Sequence, residues 1–144
     1  YSVNFAACEN NLTTPYAGCR EFLNECNKRG IKLAIITNKP DDATAGVYKK
    51  WLSEFAFDRV IGQSDKFPLK PDAASTLSVI NGLGFDKSEC VFIGDGETDV
   101  QTAKNAGIKC VSVLWGFRSR EQLAAAGATL FAESYKELSE IIFH

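Results

Sequence analysis

Asp95 and Asp99 are the residues whose type and spacing most directly suggest chemistry. They follow Val91-Phe92-Ile93, a wholly apolar run closed by Gly94, which predicts a strand buried on both faces of a parallel sheet. Beyond them Val100, Ala103 and Ala106 recur at helical spacing, and Gly107 stands where a helix C-terminal cap belongs. Strand, acidic turn and helix in that order put two carboxylates at the carboxyl end of a buried strand, where open α/β sheets keep their binding sites. Carboxylates gathered there suit Mg²⁺, a hard cation that takes oxygen ligands and often a substrate phosphate. The same acids would stabilise the start of the helix with no metal present. Spacing alone leaves both roles open.

Two further polar groups fall at the ends of predicted elements. Thr37 and Asn38 follow the apolar run Leu33-Ala34-Ile35-Ile36. Lys70 lies in Leu69-Lys70-Pro71-Asp72, just before another helical pattern. A hydroxyl and backbone N–H groups beside a helix start make an anion site, and an ammonium adds compact positive charge for a phosphoryl group. Each has an ordinary alternative: Thr-Asn at a strand end is commonly a turn, and a lysine before proline is commonly a surface residue. Their order with the two acids gives them weight. Together they are the parts of phosphoryl transfer, which runs on positioning and electrostatic stabilisation.

The elements that must position these groups can be read in chain order. Tyr1 to about Cys8 is read as the end of a helix, and Asn10–Pro15 as a polar connection. Cys19, Phe22, Leu23 and Cys26 mark the apolar face of a helix that closes at Gly30. Leu33–Ile36 is the first buried strand, ended by Thr37-Asn38-Lys39-Pro40, and a helix runs from Asp41 to about Leu52. Arg59–Gly62 is a short strand and Gln63–Pro71 a loop, with Pro71 near the first turn of a helix whose Ala74, Leu77 and Ile80 face inward. After the acidic turn and its helix come a strand over Cys110–Leu114, a short helix over Ser119–Ala126, a small strand over Thr129–Phe131, and a last helix. A Ser134/Glu137 capping box starts that helix, and Leu138, Ile141 and Ile142 line its inner face. Strands alternating with helices predict one α/β fold, a Rossmann-like parallel sheet with helices on both faces.

Composition narrows the class. The chain has 144 residues, 45% of them apolar, and a formal net charge of −2. That suits one folded domain and argues against disorder and against a nucleic-acid partner, which would favour a basic face. No apolar run approaches the roughly 20 residues of a membrane span, and no signal-peptide pattern is present at Tyr1–Cys8. Five cysteines occur without a CxxC pair, which predicts reduced thiols in a cytoplasmic protein. The single histidine is His144, so histidine-based catalysis is not expected.

The chain resembles the haloacid dehalogenase superfamily, in its phosphoglycolate-phosphatase-like branch. Ile35-Ile36-Thr37-Asn38-Lys39 is similar to that family's second motif, Leu69-Lys70-Pro71-Asp72 to its third, and Phe92-Ile93-Gly94-Asp95-Gly96-Glu97-Thr98-Asp99 to its fourth, acidic motif. Pro15-Tyr16-Ala17-Gly18, Trp115-Gly116-Phe117-Arg118 and Ala126-Gly127-Ala128 resemble flanking regions of the same family. The likeness covers nearly the whole chain. It implies that Thr37 bonds the phosphoryl oxygens, helped by the backbone at Asn38, and that Lys70 balances charge between phosphate and nucleophile. It implies that Asp95 ligates Mg²⁺ and that Asp99 ligates it or holds its waters and Lys70. Lys39 would touch substrate or stay a surface residue. The implied activity is Mg²⁺-dependent hydrolysis of a small phosphorylated metabolite through an aspartyl-phosphate.

The sequence departs from the family at one point. The family's first motif, an Asp-x-Asp segment after an N-terminal strand, supplies the nucleophile, and no such segment occurs here. The chain also contains no methionine. The expectation is a C-terminal part of a longer phosphatase: residues 1–14 as the end of a cap region and linker, and residues 15–144 as the core domain without its central first strand. Leu33–Ile36 and Val91–Ile93 should then flank a gap that another segment or chain must fill, because unpaired central edges are costly. Two other functions remain open, a phosphomutase of the same superfamily and a non-catalytic α/β binding module.

Overall fold

Each strand is followed by a helix. A computed structural model describes residues 2–5, 18–47, 49, 54–64, 66–116 and 118–143. In chain order the elements are β1 (Ser2–Phe5), α1 (Cys19–Lys28), β2 (Lys32–Pro40), α2 (Asp41–Val47), β3 (Arg59–Gln63), α3 (Ala74–Leu83), β4 (Cys90–Gly94), α4 (Glu97–Ala106), β5 (Lys109–Val113), α5 (Arg120–Ala125), β6 (Phe131–Ala132) and α6 (Tyr135–Phe143). The strands form one six-stranded sheet in the order β3-β2-β1-β4-β5-β6, and every pairing is parallel. The strand order reverses between β1 and β4, the topological switch point at which open α/β sheets form their crevices.

Continuous apolar runs are needed because both sheet faces are covered. Leu33 and Ile35 of β2 join Val91 and Ile93 of β4 in a core with Phe22 and Leu23 of α1 and Leu138 of α6. Their neighbours Ala34, Ile36 and Phe92 point the other way, into a second core with Val79 and Ile80 of α3 and Ala103 and Ala106 of α4. The period-2 alternation of a strand thus feeds two helical layers from one apolar run. No helix of the described residues is long and apolar enough to cross a membrane.

The gap between Leu33–Ile36 and Val91–Ile93 exists, and this chain fills it. Ser2–Phe5 lies between β2 and β4, with Val3 opposite Leu33 and Val91. The expected helix end at Tyr1–Cys8 is corrected to a strand over Ser2–Phe5, and the central strand expected to be missing is occupied. The physical cause is the one that predicted the gap. Two buried strands facing an empty slot leave rows of unpaired N–H and C=O groups, and Ser-Val-Asn-Phe has a strand's polar–apolar alternation. Residues 6–14, with the Asn10–Pro15 connection, lie outside the described residues.

Other differences are local. β2 continues through Thr37-Asn38-Lys39 to Pro40, where the register to β3 shifts between Ile36 and Pro40. The buried residues of α3 are Ser75, Thr76, Val79 and Ile80, and Leu77 is only partly buried. That helix begins at Ala74, so Pro71 belongs to the preceding turn, where its peptide bond with Lys70 is cis. At α6 the Ser134 hydroxyl accepts from Glu137 N as expected, but the Glu137 carboxylate reaches Glu133 N. The expectation of reduced cysteines is corrected at Cys19, which is disulfide-bonded; Cys26, Cys90 and Cys110 are not in disulfides.

Candidate active site

The carboxyl ends of β2 and β4 lie on either side of β1. Phe5 is opposite Ile93, so the crevice opens above β1 between Thr37 and Asp95. The turn after β4 is built around Asp99. Its Oδ2 accepts from the backbone N–H groups of Asp95 and Gly96, both at 3.2 Å, which satisfies donors that a helix start leaves open. Asp99 can fold back this far only because Gly94 has no side chain. A Cβ there would lie 2.3 Å from the Asp99 Cβ and Cγ.

The other Asp99 oxygen meets Lys70. Nζ of Lys70 is 2.5 Å from Asp99 Oδ1, and the two side chains are 9% and 7% exposed. At this burial the ion pair is held by matched geometry. The ammonium also lies over the Phe92 ring, 5.7 Å from its centroid, a favourable place for a cation. Both Asp99 oxygens are therefore engaged within the protein.

Lys70 is held through its backbone as well. The Asn38 carboxamide accepts from Lys70 N at 2.8 Å and donates to Lys70 O at 3.2 Å. From the other side, Asn105 of α4 donates to Pro71 O at 2.8 Å. The turn that carries the lysine is thus tied both to the end of β2 and to α4. Thr37 and Lys70 line one small cleft with Asn38, Ile61 and Phe67. The resemblance implied a phosphate contact from the Asn38 backbone; the Asn38 side chain is engaged by the backbone of Lys70. Neither Asn105 nor the reciprocal Asn38 bonds could be read from the sequence, because their partners are far along the chain. The Lys39 side chain lies outside the described residues.

Replacing Asn38 by alanine should remove both bonds and cost about 1–2 kcal/mol, read as a lower denaturant midpoint with an unchanged slope. An unchanged midpoint would show that the Lys70 turn does not depend on this carboxamide.

Asp95 differs from Asp99. Burial, then the negative charge of Asp99, push its carboxyl above the usual carboxylate range, against its own backbone N–H bond and the more distant Lys70 and Arg118. A raised acid stabilises the fold at low pH and loses that contribution as pH rises through its folded-state pKa. Asp95→Asn should therefore leave stability unchanged below about pH 4 and raise it progressively toward neutrality. Denaturation midpoints of the two proteins across that range check this. A variant less stable than the parent at neutral pH would contradict it. A charged group that costs stability is commonly kept for what it binds.

The donor set fits a Mg²⁺ ion of the kind that keeps waters and takes one or two carboxylates with a substrate phosphate. Asp95 supplies a carboxylate, and Lys70, paired with Asp99, supplies the positive charge that a phosphate would take. Among the described residues no three His, Cys, Asp or Glu side chains form a cage. Thiol chemistry has no support here, because burial pushes Cys26 and Cys110 up to about 12.

Known proteins share this arrangement of chain. The sequence profile of the haloacid dehalogenase-like hydrolases matches residues 3–113. A phosphoglycolate phosphatase of Pseudomonas fluorescens is 33% identical over 127 residues, which are 88% of this chain and 47% of that protein. Phosphoglycolate phosphatase 1 of Pseudomonas aeruginosa is 30% identical over 127 residues, again 47% of its length. Among solved structures, one from Lactobacillus delbrueckii, provisionally named a phosphoglycolate phosphatase, superposes with a TM-score of 0.84 at 33% identity, covering 89% of this chain and 53% of that one. Another from Thermotoga maritima, provisionally named a beta-phosphoglucomutase, gives 0.77 at 26% identity, covering 88% and 59%. The chain spans about half the length of the curated relatives it matches.

Proposed function

This chain belongs to the haloacid dehalogenase-like hydrolases, and from that membership we propose that the whole protein hydrolyses a small phosphate monoester with Mg²⁺, phosphoglycolate being the leading substrate. The observation that carries the reading is the buried Lys70–Asp99 pair at 2.5 Å, in the same acidic turn as Asp95, whose carboxyl is raised by burial and by Asp99, at the switch point of the sheet. Phosphatase relatives over most of this chain support the substrate class.

In this reading Asp95 is the direct Mg²⁺ ligand. Asp99 holds Lys70 and shapes the turn. The ammonium of Lys70 and the hydroxyl of Thr37 take the phosphoryl oxygens, with backbone N–H at Asn38, while the Asn38 carboxamide keeps the lysine in place. Bound Mg²⁺ would polarise the phosphoryl group and neutralise its charge. Ser2–Phe5 and residues 15–144 belong to the core of the whole protein, Ser2–Phe5 as the central strand of the sheet in place of the cap-region role expected for residues 1–14. The nucleophile would be an aspartate outside the residues named here, and its acyl phosphate would be hydrolysed in a second step.

Release of inorganic phosphate from phosphoglycolate and from an aryl phosphate by the whole protein, with and without Mg²⁺, tests the proposal. Mg²⁺-dependent release with preference for phosphoglycolate is expected; no release from either would sink it. The structural likeness to a protein provisionally named a phosphomutase favours one second reading. An isomerised sugar phosphate with no free phosphate would replace hydrolysis by mutase chemistry. A third outcome, phosphate binding without turnover, would identify a binding module.

A further inference from the structure

The turn after β5 carries Trp115, Gly116 and Arg118, and its Gly116 lies against the acidic turn after β4. A Cβ built on Gly116 would lie 2.3 Å from Asp95 Oδ2, 2.7 Å from its Cβ and 2.8 Å from its Cγ. Those distances are too short for any side chain, and the Asp95 Cβ is fixed to the backbone, so it cannot swing aside. Gly116 therefore fills no space of its own and lets the chain lie directly against the carboxylate of Asp95.

The turn is braced on both sides of that contact. Trp115 packs on Tyr135 at a ring-centroid distance of 4.4 Å, and Tyr135 packs on Phe22 of α1 at 5.7 Å. Tyr135 in turn rests on Gly18, which has a positive φ of 88° and would place a Cβ only 3.0 Å from the Tyr135 Cβ. On the far side Arg118 Nε pairs with Glu97 Oε1 at 2.5 Å, and Glu97 opens α4 two residues beyond Asp95. The turn after β5 is thus anchored in the core at one end and to the acidic turn at the other.

We propose that Gly116 is a positioning residue: it sets the side chain of Asp95 against the braced turn after β5, and so fixes where that carboxylate meets a divalent cation. The proposal rests on the reading of Asp95 as a cation ligand given above. It adds a specific residue from a separate element, with no metal-binding or catalytic group of its own, on which cation affinity depends.

Mn²⁺, a spectroscopic substitute for Mg²⁺, is the probe, titrated into the 144-residue chain and followed by electron paramagnetic resonance. Gly116→Ala should weaken Mn²⁺ binding roughly tenfold to a hundredfold, the usual cost of disturbing a residue that orients a ligand. It should also lower the melting temperature by roughly 5 °C. In an Asp95→Gly background the clash is gone, so the same glycine replacement should change the melting temperature by less than about 1 °C. If Gly116→Ala alone does not fold, a cooperative transition restored in the double variant gives the same result.

An equal loss of stability in both backgrounds would show that Gly116 does not act through Asp95, and would overturn the proposal. Coupled stability with unchanged Mn²⁺ affinity would overturn it as a positioning device. Asp95→Asn separates the two levels. If it binds Mn²⁺ as the parent does, the assignment of Asp95 as ligand fails and the proposal falls with it. If it loses Mn²⁺ while Gly116→Ala keeps it, only the proposal fails.

Discussion

Lys70→Ala should destabilise the fold by about 3–5 kcal/mol, the range for removing one partner of a buried ion pair. Asp99 would be left 7% exposed with a charge and no ammonium beside it. It could not relax outward, because its Oδ2 is tied to Asp95 N and Gly96 N and its position depends on the space left by Gly94. The loss should exceed that of Asn38→Ala, which removes two partly exposed hydrogen bonds and no charge. Lys70→Met combined with Asp99→Asn should cost less than the sum of the single changes, because the uncompensated charge goes with its partner. Urea denaturation of the parent, Lys70→Ala, Lys70→Met, Asp99→Asn and the double variant measures this. A Lys70→Ala loss below about 1 kcal/mol, the level of an exposed pair, would mean that the ion pair is solvated in solution.

The second large effect concerns turnover. Residues 1–144 should hydrolyse phosphate monoesters slower by roughly a millionfold than a protein that supplies an aspartate nucleophile, the scale on which removing a nucleophile acts. The strand at the centre of the sheet, Ser-Val-Asn-Phe, carries no carboxylate. Asp99 has both oxygens engaged. Assay of p-nitrophenyl phosphate with Mg²⁺ on the chain, and on a longer protein carrying an Asp-x-Asp strand, measures the ratio. Substantial Mg²⁺-dependent turnover by the chain, abolished by Asp95→Asn, would place a nucleophile among residues already present.

What could be read from sequence follows from how local each determinant is. The strand Val91–Ile93, its acidic turn and the helix to Gly107 lie within one short stretch, and period and cap residues define them together. Thr37 and Lys70 were legible as candidates because Thr37 follows the apolar run Leu33–Ile36 and Lys70 precedes a helical pattern. Ser2–Phe5 was not legible as a strand, because its state is set by two partners far along the chain, near Leu33 and Val91. The role of the Asn38 side chain was hidden for the same reason: its partner, the backbone of Lys70, lies far along the chain. Gly116 gave only a segment resemblance, since the reason for a glycine there is a carboxylate from another turn. The disulfide at Cys19 was missed because cysteine count and spacing carry no distance information.

The central claim is that Asp95 and Lys70 form one cation and phosphate site at the switch point of the sheet. Isothermal titration of Mg²⁺ into the chain, with and without orthophosphate, tests it most directly, with Asp95→Asn as the comparison. The account predicts a single Mg²⁺ site whose affinity rises when orthophosphate is present, and which is lost in Asp95→Asn although that variant is at least as stable as the parent. Mg²⁺ binding of equal strength in parent and Asp95→Asn, with no response to orthophosphate, would contradict it.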